Sequence, residues 1–229
     1  MNPELGSNTT LAALLKPALR LALGALLAVG LLQWVVELTR QPIADARQRL
    51  LLQTLNELLP QAAESQLDDS LWLLAPNWLG STRPLRVYRR AGSAAMVIEA
   101  LANNGYAGDI RLLVGLGKPG VVSAVRVSEH RETPGLGDAI EVTKSDWILG
   151  FDGLTWPPPD AASWQLDKDR GQFDTIAGAT ITSRAVVDAV ARVAQLHARH
   201  YAALTAAEPG ANLQLDDRPA PLSQAKRGQ

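Results

Sequence analysis

The sequence predicts an α+β protein: a single apolar helix near the N-terminus, then a domain built from an antiparallel sheet with flanking helices. Three observations predict it. Residues 21–36, LALGALLAVGLLQWVV, carry no charge. Between residues 86 and 129, short apolar runs are punctuated by glycines. From residue 183 to 201, apolar side chains return at helical spacing.

The uncharged run spans roughly 24 Å as a helix, slightly short of a bilayer core. Arg20 and Arg40 can extend their head groups outward, and Trp34 suits an interface. A buried soluble helix would show a polar stripe, and only Gln33 interrupts this one. No small-residue cleavage signal follows, so the run reads as an uncleaved anchor. Lys16 and Arg20 on one side, with Arg40, Arg47 and Arg49 on the other, leave its orientation undecided by charge.

Residues 42–59 read as an amphipathic helix. Pro42 suits a first turn, and Ile43, Ala46, Leu50, Leu55, Leu58 and Leu59 recur near helical spacing. Pro76, Asn77 and Gly80 mark a linker. Strands are expected at 86–90, 94–101, 110–114 and 121–128, joined by turns too short for parallel crossovers. The basic run Arg83, Arg86, Arg89 and Arg90 reads as a solvated strand face. In the 183–201 helix Val186, Val190, Val193 and Leu196 share a face with His197, while Arg192 and Arg199 point elsewhere. The Pro/Gly/charge-rich end reads as a mobile tail. The expected divisions are an N-terminal tail (1–16), an anchor (17–40), an amphipathic helix and linker (41–85), the main domain (86–207) and the tail (208–229).

Composition excludes several functions. Of the 229 residues 47% are hydrophobic and 20% charged, enough for one packed domain plus extras. A net charge of −1 offers nothing to nucleic acid. With no cysteine, the chain cannot hold thiolate-ligated clusters or use a thiol nucleophile. Three histidines (His130, His197 and His200) leave little for a metal site, and neither metal ligands nor catalytic residues are assigned.

The chemistry concentrates at 174–183, DTIAGATITS, just before the last helix. Gly178 and Ala179 let a bulky group approach the backbone, and Thr180, Thr182 and Ser183 offer hydroxyls. A helix start supplies free N–H groups and a positive dipole end, which favour phosphate. The same pattern is also ordinary helix-capping chemistry.

This segment resembles the flavin-attachment motif of the FMN-binding domain family: Asp, two variable residues, Ser or Thr, then Gly-Ala-Thr. HRETPGLGD (130–138) resembles the family's loop beside the flavin, and residues 105–116, 147–151 and 185–190 are similar to further stretches. The domain occurs in the G subunit of the Rnf (Rsx) ion-translocating electron transport complex and in the C subunit of the sodium-pumping NADH:quinone reductase. Motif wording and length favour the Rnf type. The resemblance implies FMN attached through its phosphate to Thr180 by a separate flavin transferase. Asp174, Gly178, Ala179, Ile181 and Thr182 would surround the attachment, and Glu132, Thr133, Leu136 and Gly137 would lie by the ring. It also implies an electron relay among other membrane subunits of a translocase, in a bacterial inner membrane with the domain on the periplasmic side. Where the family has Ser or Thr, this chain has Ala177, one hydroxyl fewer near the phosphate. That departure leaves a second reading, a non-redox anchored assembly protein.

Overall fold

The computed structural model describes residues 7–58, 69–89, 95–158 and 164–219. The chain divides into two compact units, Met1–Leu52 and Gln53–Gln229.

The first unit is helical throughout its described part. Helix α1 runs from Ser7 to Leu58, its last turn belonging to the second unit. Within it Pro17–Arg40 is long and apolar enough to cross a membrane, and its leucines are exposed, Leu21 by 76% and Leu26 by 70%. The expected break before Pro42 does not occur, and helix replaces the expected tail from Ser7 onward. Proline removes one backbone hydrogen bond and crowds the carbonyl four residues back. Here the helix carries on across it. Just before Pro42 the Thr39 hydroxyl donates to the carbonyls of Val35 (2.8 Å) and Val36 (3.1 Å).

The second unit is built on one sheet. Strand β1 (Ser70–Leu74) leads into the one-turn helix α2 (Pro76–Leu79). Then come β2 (Leu85–Arg89), β3 (Met96–Ala102), β4 (Ile110–Leu116) and β5 (Val122–Glu129). After 3₁₀ turns at Gly137–Ile140, Asp146–Phe151 and Asp167–Asp169, helix α3 spans Thr180–Ala206, and β6 follows at Asn212–Gln214. The order across the sheet is β5-β4-β3-β2-β1-β6. All pairs are antiparallel except β1 with β6.

Alternation along β3 and β4 decides the core. Met96, Ile98, Ala100, Ile110, Leu112 and Val114 point to one face, where Val186, Val190 and Val193 of α3 are fully buried against them. The opposite residues Val97 and Leu113 are buried too. There the last turn of α1 approaches the sheet at Gly115, where an added Cβ would lie 3.5 Å from the Leu58 carbonyl oxygen.

Three further expectations are corrected. The 41–85 linker contains β1 and α2: Leu71, Leu73 and Trp78 are fully buried, and Pro76 and Gly80 begin and end a helical turn. The tail from 208 onward supplies β6, whose pairing continues as the Leu215 N–H donates to the Leu74 carbonyl at 2.9 Å; residues 220–229 lie outside the described residues. Asp217 fastens this end, accepting from Trp78 Nε1 (3.1 Å) and pairing with Arg199 and His200 (3.1 Å each). The basic run is not uniformly solvated. Arg89 is 8% exposed, pairs with Asp69, and donates to the carbonyls of Leu204 (2.9 Å) and Ala207 (2.6 Å). It thereby meets carbonyls that the C-terminal end of α3 leaves without helical partners. Arg86 stacks 4.5 Å from the Trp72 ring centroid, and Arg83 is exposed. Arg192 of α3 also turns inward, donating to the Trp78 carbonyl at 3.2 Å.

Candidate functional site

The segment singled out in the sequence forms a turn resting on an aromatic floor. Phe151 and Phe173 have centroids 4.3 Å apart, and Trp147 meets Phe151 edge-on at 5.6 Å. Trp147 Nε1 donates to the Asp174 carbonyl at 2.7 Å, pinning the backbone where the motif begins. The chain then folds tightly, the Ala179 N–H donating to the Ile176 carbonyl at 2.9 Å. Gly178 takes φ +76°, a left-handed conformation that L side chains resist.

Helix α3 starts three residues earlier than expected. Thr180 is its first residue, half-buried, with Ala179 as the cap. Its first complete helical bond is the Ser183 N–H to the Ala179 carbonyl, 2.9 Å. The N–H groups of Thr180, Ile181 and Thr182 therefore precede the helical ladder and are available to an anion. This early start redirects two of the expected hydroxyls. Thr182 is fully buried and donates to Glu132, while Ser183 donates to the Ala179 carbonyl at 3.0 Å. Thr180 carries the one hydroxyl of the three that is not buried.

The 130–138 loop is tied to the same helix end. Glu132, 4% exposed, accepts from the Ala107 N–H (2.9 Å) and from the Thr182 hydroxyl. Backbone closes around it: an added Cβ on Gly137 would sit 2.8 Å from Glu132 Cβ, and one on Gly105 would sit 2.9 Å from its Oε1. The Glu132 N–H donates to His130 Nδ1 (3.0 Å), which leaves Nε2 as the donor to Glu141 at 2.7 Å. The Thr133 carbonyl accepts from the N–H groups of Leu136 (3.1 Å) and Gly137 (3.0 Å), closing the turn. These polar groups satisfy one another. Leu136 is left 48% exposed over Gly178, where a Cβ would meet its Cδ2 at 3.0 Å.

The sequence reading missed one neighbour. Lys168 Nζ donates to Thr180 Oγ1 at 3.0 Å. Its 3₁₀ turn is fastened by Asp167, which accepts from the N–H of Lys168 (2.8 Å), the N–H of Thr175 (3.0 Å) and the Thr175 hydroxyl. The Thr175 hydroxyl, with those amides, holds the Asp167 carboxyl below the usual carboxylate range. A Lys-Asp pair in a polar turn carries no distinctive sequence signal.

The predicted residues thus fall into two groups. Gly178, Ala179, Thr180, Ile181 and Leu136 come together at the start of α3, with Leu136 and Ile181 (51% exposed) offering apolar surface beside the hydroxyl. Glu132, Gly137 and Thr182 lie beneath, buried. Asp174 and Thr133 are exposed. A phosphate at Thr180 would meet a half-buried hydroxyl with Lys168 at 3.0 Å, small residues before it and the first amides of α3, while Leu136 stands over Gly178.

Residues 105–195, which run from the β3–β4 turn into helix α3, match the FMN-binding domain family. Residues 1–58 match the RnfG N-terminal region. The G subunit of the ion-translocating oxidoreductase complex of Pseudoalteromonas atlantica is 42% identical over 205 residues, covering 87% of this chain and 95% of that one. The corresponding G subunit of Pseudomonas aeruginosa is 45% identical over 183 residues, 78% and 86% of the two chains. That of Vibrio cholerae is 39% identical over 194 residues, 83% and 93%. The chain belongs to the family of ion-translocating oxidoreductase complex G subunits. This decides between the two subunit types that the motif left open.

Proposed function

We propose that this protein is the electron-relay subunit of a membrane-bound ion-translocating oxidoreductase, carrying FMN joined through its phosphate to Thr180 Oγ1. The observation that carries the reading is the half-buried Thr180 hydroxyl at the first residue of α3, beside Gly178 and within hydrogen-bond distance of Lys168. When bound, FMN supplies the redox chemistry, and the protein's part is to hold and orient it. Thr180 would tether the phosphate, Gly178 would let it lie against backbone, and the first amides of α3 would face its oxygens. Leu136 and Ile181 would pack against the ring, while Glu132 keeps their two segments in register. Electrons would arrive from and pass to neighbouring subunits of the complex. Pro17–Arg40 would anchor the chain in the inner membrane, with the sheet domain on the periplasmic side.

The test is Thr180→Ala, co-expressed with a flavin transferase and examined by intact-protein mass spectrometry and in-gel flavin fluorescence. Wild type should gain the mass of FMN less water, and the variant should gain nothing while keeping its circular dichroism spectrum. A denaturation-resistant flavin on the variant would refute Thr180 as the attachment residue. A reporter fused at the C-terminus should be active only if it works in the periplasm, and a cytoplasm-active fusion reverses the orientation.

A further inference from the structure

We propose that Lys168 is a positioning residue for flavin attachment: its ammonium orients the Thr180 hydroxyl and then pairs with the phosphoester formed there. The inference rests on Thr180 being the attachment residue. Among the described residues, Lys168 is the one charged side chain that hydrogen-bonds Thr180, with Nζ 3.0 Å from Oγ1.

Its turn is built to stay in place. The Asp167 N–H donates to the Phe173 carbonyl at 2.7 Å, and Asp167 takes three hydrogen bonds through one carboxylate oxygen, two of them from Thr175 in the attachment segment. On the other side Asp169 pairs with Arg184 of α3 at 2.7 Å. Gly171 closes the loop so tightly that an added Cβ would fall 2.0 Å from the Gln165 carbonyl oxygen. The turn is therefore fastened both to the attachment segment and to the helix that Thr180 begins, and the lysine between those fastenings reaches the acceptor oxygen.

The charge arithmetic favours a positive neighbour. In attachment, Thr180 Oγ1 attacks the flavin-side phosphorus of FAD. The Oγ1–P bond forms, the bond joining that phosphorus to the AMP oxygen breaks, AMP leaves, and the hydroxyl proton passes to a base of the transferase. An ammonium that donates to Oγ1 cannot accept that proton. It holds one lone pair of Oγ1 and leaves the O–H and the other lone pair directed outward. The product is an anionic phosphodiester on an oxygen already in contact with the lysine. The contact is a charge-assisted hydrogen bond to a phosphodiester oxygen, and the fastened turn holds the lysine backbone where that bond can form.

The experiment follows the rate of flavin incorporation into the full-length protein in detergent, with purified transferase and FAD, by in-gel fluorescence and intact mass. Wild type, Lys168→Met, Lys168→Arg, Lys168→Glu and Thr180→Ala are compared. Lys168→Met should slow attachment about tenfold or more, the scale of one lost charge-assisted hydrogen bond. Lys168→Arg should keep most of the rate, and Lys168→Glu should be slowest. Because Lys168 is exposed, melting temperatures should stay together, separating this role from a structural one. A Lys168→Met rate within twofold of wild type overturns the proposal, as does a Lys168→Arg rate as low as that of Lys168→Met. If wild type takes flavin, Thr180→Ala does not, and Lys168→Met is normal, only this inference fails. If wild type takes none, the reading of Thr180 fails with it.

Discussion

Glu132 offers the sharpest test of how the site is held, because one buried carboxylate joins three segments. Its oxygens accept from Ala107 in the β3–β4 turn and from Thr182 in the first turn of α3, while its own backbone belongs to the 130–138 loop. In Glu132→Ala both donors lose their acceptor. Thr182 is fully buried, so its hydroxyl is left unpaired at about 1–3 kcal/mol. Ala107 is exposed, and water can replace the carboxylate there, so its loss is about 0.5–1.5 kcal/mol. The total is about 1.5–4.5 kcal/mol, or roughly 3–18 °C of melting temperature for a domain of this size. Glu132→Gln should be milder, about 1 kcal/mol, since the amide oxygen keeps one bond and the Thr182 hydroxyl can rotate to accept from the amide N–H. Thermal unfolding of the full chain in detergent, followed by circular dichroism, reads both numbers. A Glu132→Ala melting temperature within about 2 °C of wild type would refute the clamp. A Glu132→Gln loss as large as that of Glu132→Ala would show that charge, and not the two donors, is what the site requires.

Gly178→Val should block flavin attachment while Thr180 remains. Its φ of +76° makes any β-branched residue costly, by about 1–3 kcal/mol, and the new side chain would press on Leu136. A folded variant that takes flavin at the normal level would refute the close-approach argument. His197 predicts a pH dependence. It is fully buried, accepts from the Gly120 N–H at 3.2 Å, and its Nε2 has no hydrogen-bond partner among the described residues. Burial pushes its pKa down to about 4. The folded state therefore favours neutral imidazole: this contribution is fully present above the unfolded value near 6.5 and is lost as pH falls toward 4. Up to about 3 kcal/mol should disappear across that window. His197→Asn, which keeps an acceptor for Gly120, should flatten the profile between pH 6.5 and 4 in denaturant titrations, and an unchanged slope would count against the assignment.

What the sequence determined by itself is what local pattern encodes. Strands β2 to β5 were legible because short apolar runs and intervening glycines report directly on buried strands and tight turns. The long apolar helix was legible because uninterrupted hydrophobicity needs no partner to be recognised. The segment around Thr180 stood out through a resemblance, since small residues and hydroxyls before a helix are by themselves also ordinary capping chemistry. The tertiary structure decided whatever depends on a distant partner. Strand β6 has three residues with no apolar alternation, and exists because β1 offers an edge and Asp217 fastens the chain to Trp78, Arg199 and His200. Arg89 reads in the sequence like the exposed Arg83, yet it is buried because carbonyls at the far end of α3 lie within its reach. Thr182 and Ser183 looked like further phosphate-facing hydroxyls until the helix began at Thr180 and turned them inward. Lys168 lies twelve residues from Thr180 in a turn without periodicity, and only the Asp167–Thr175 fastening sets its ammonium on that oxygen. Periodicity records which side of an element is apolar; which polar groups meet depends on contacts made after the elements have packed.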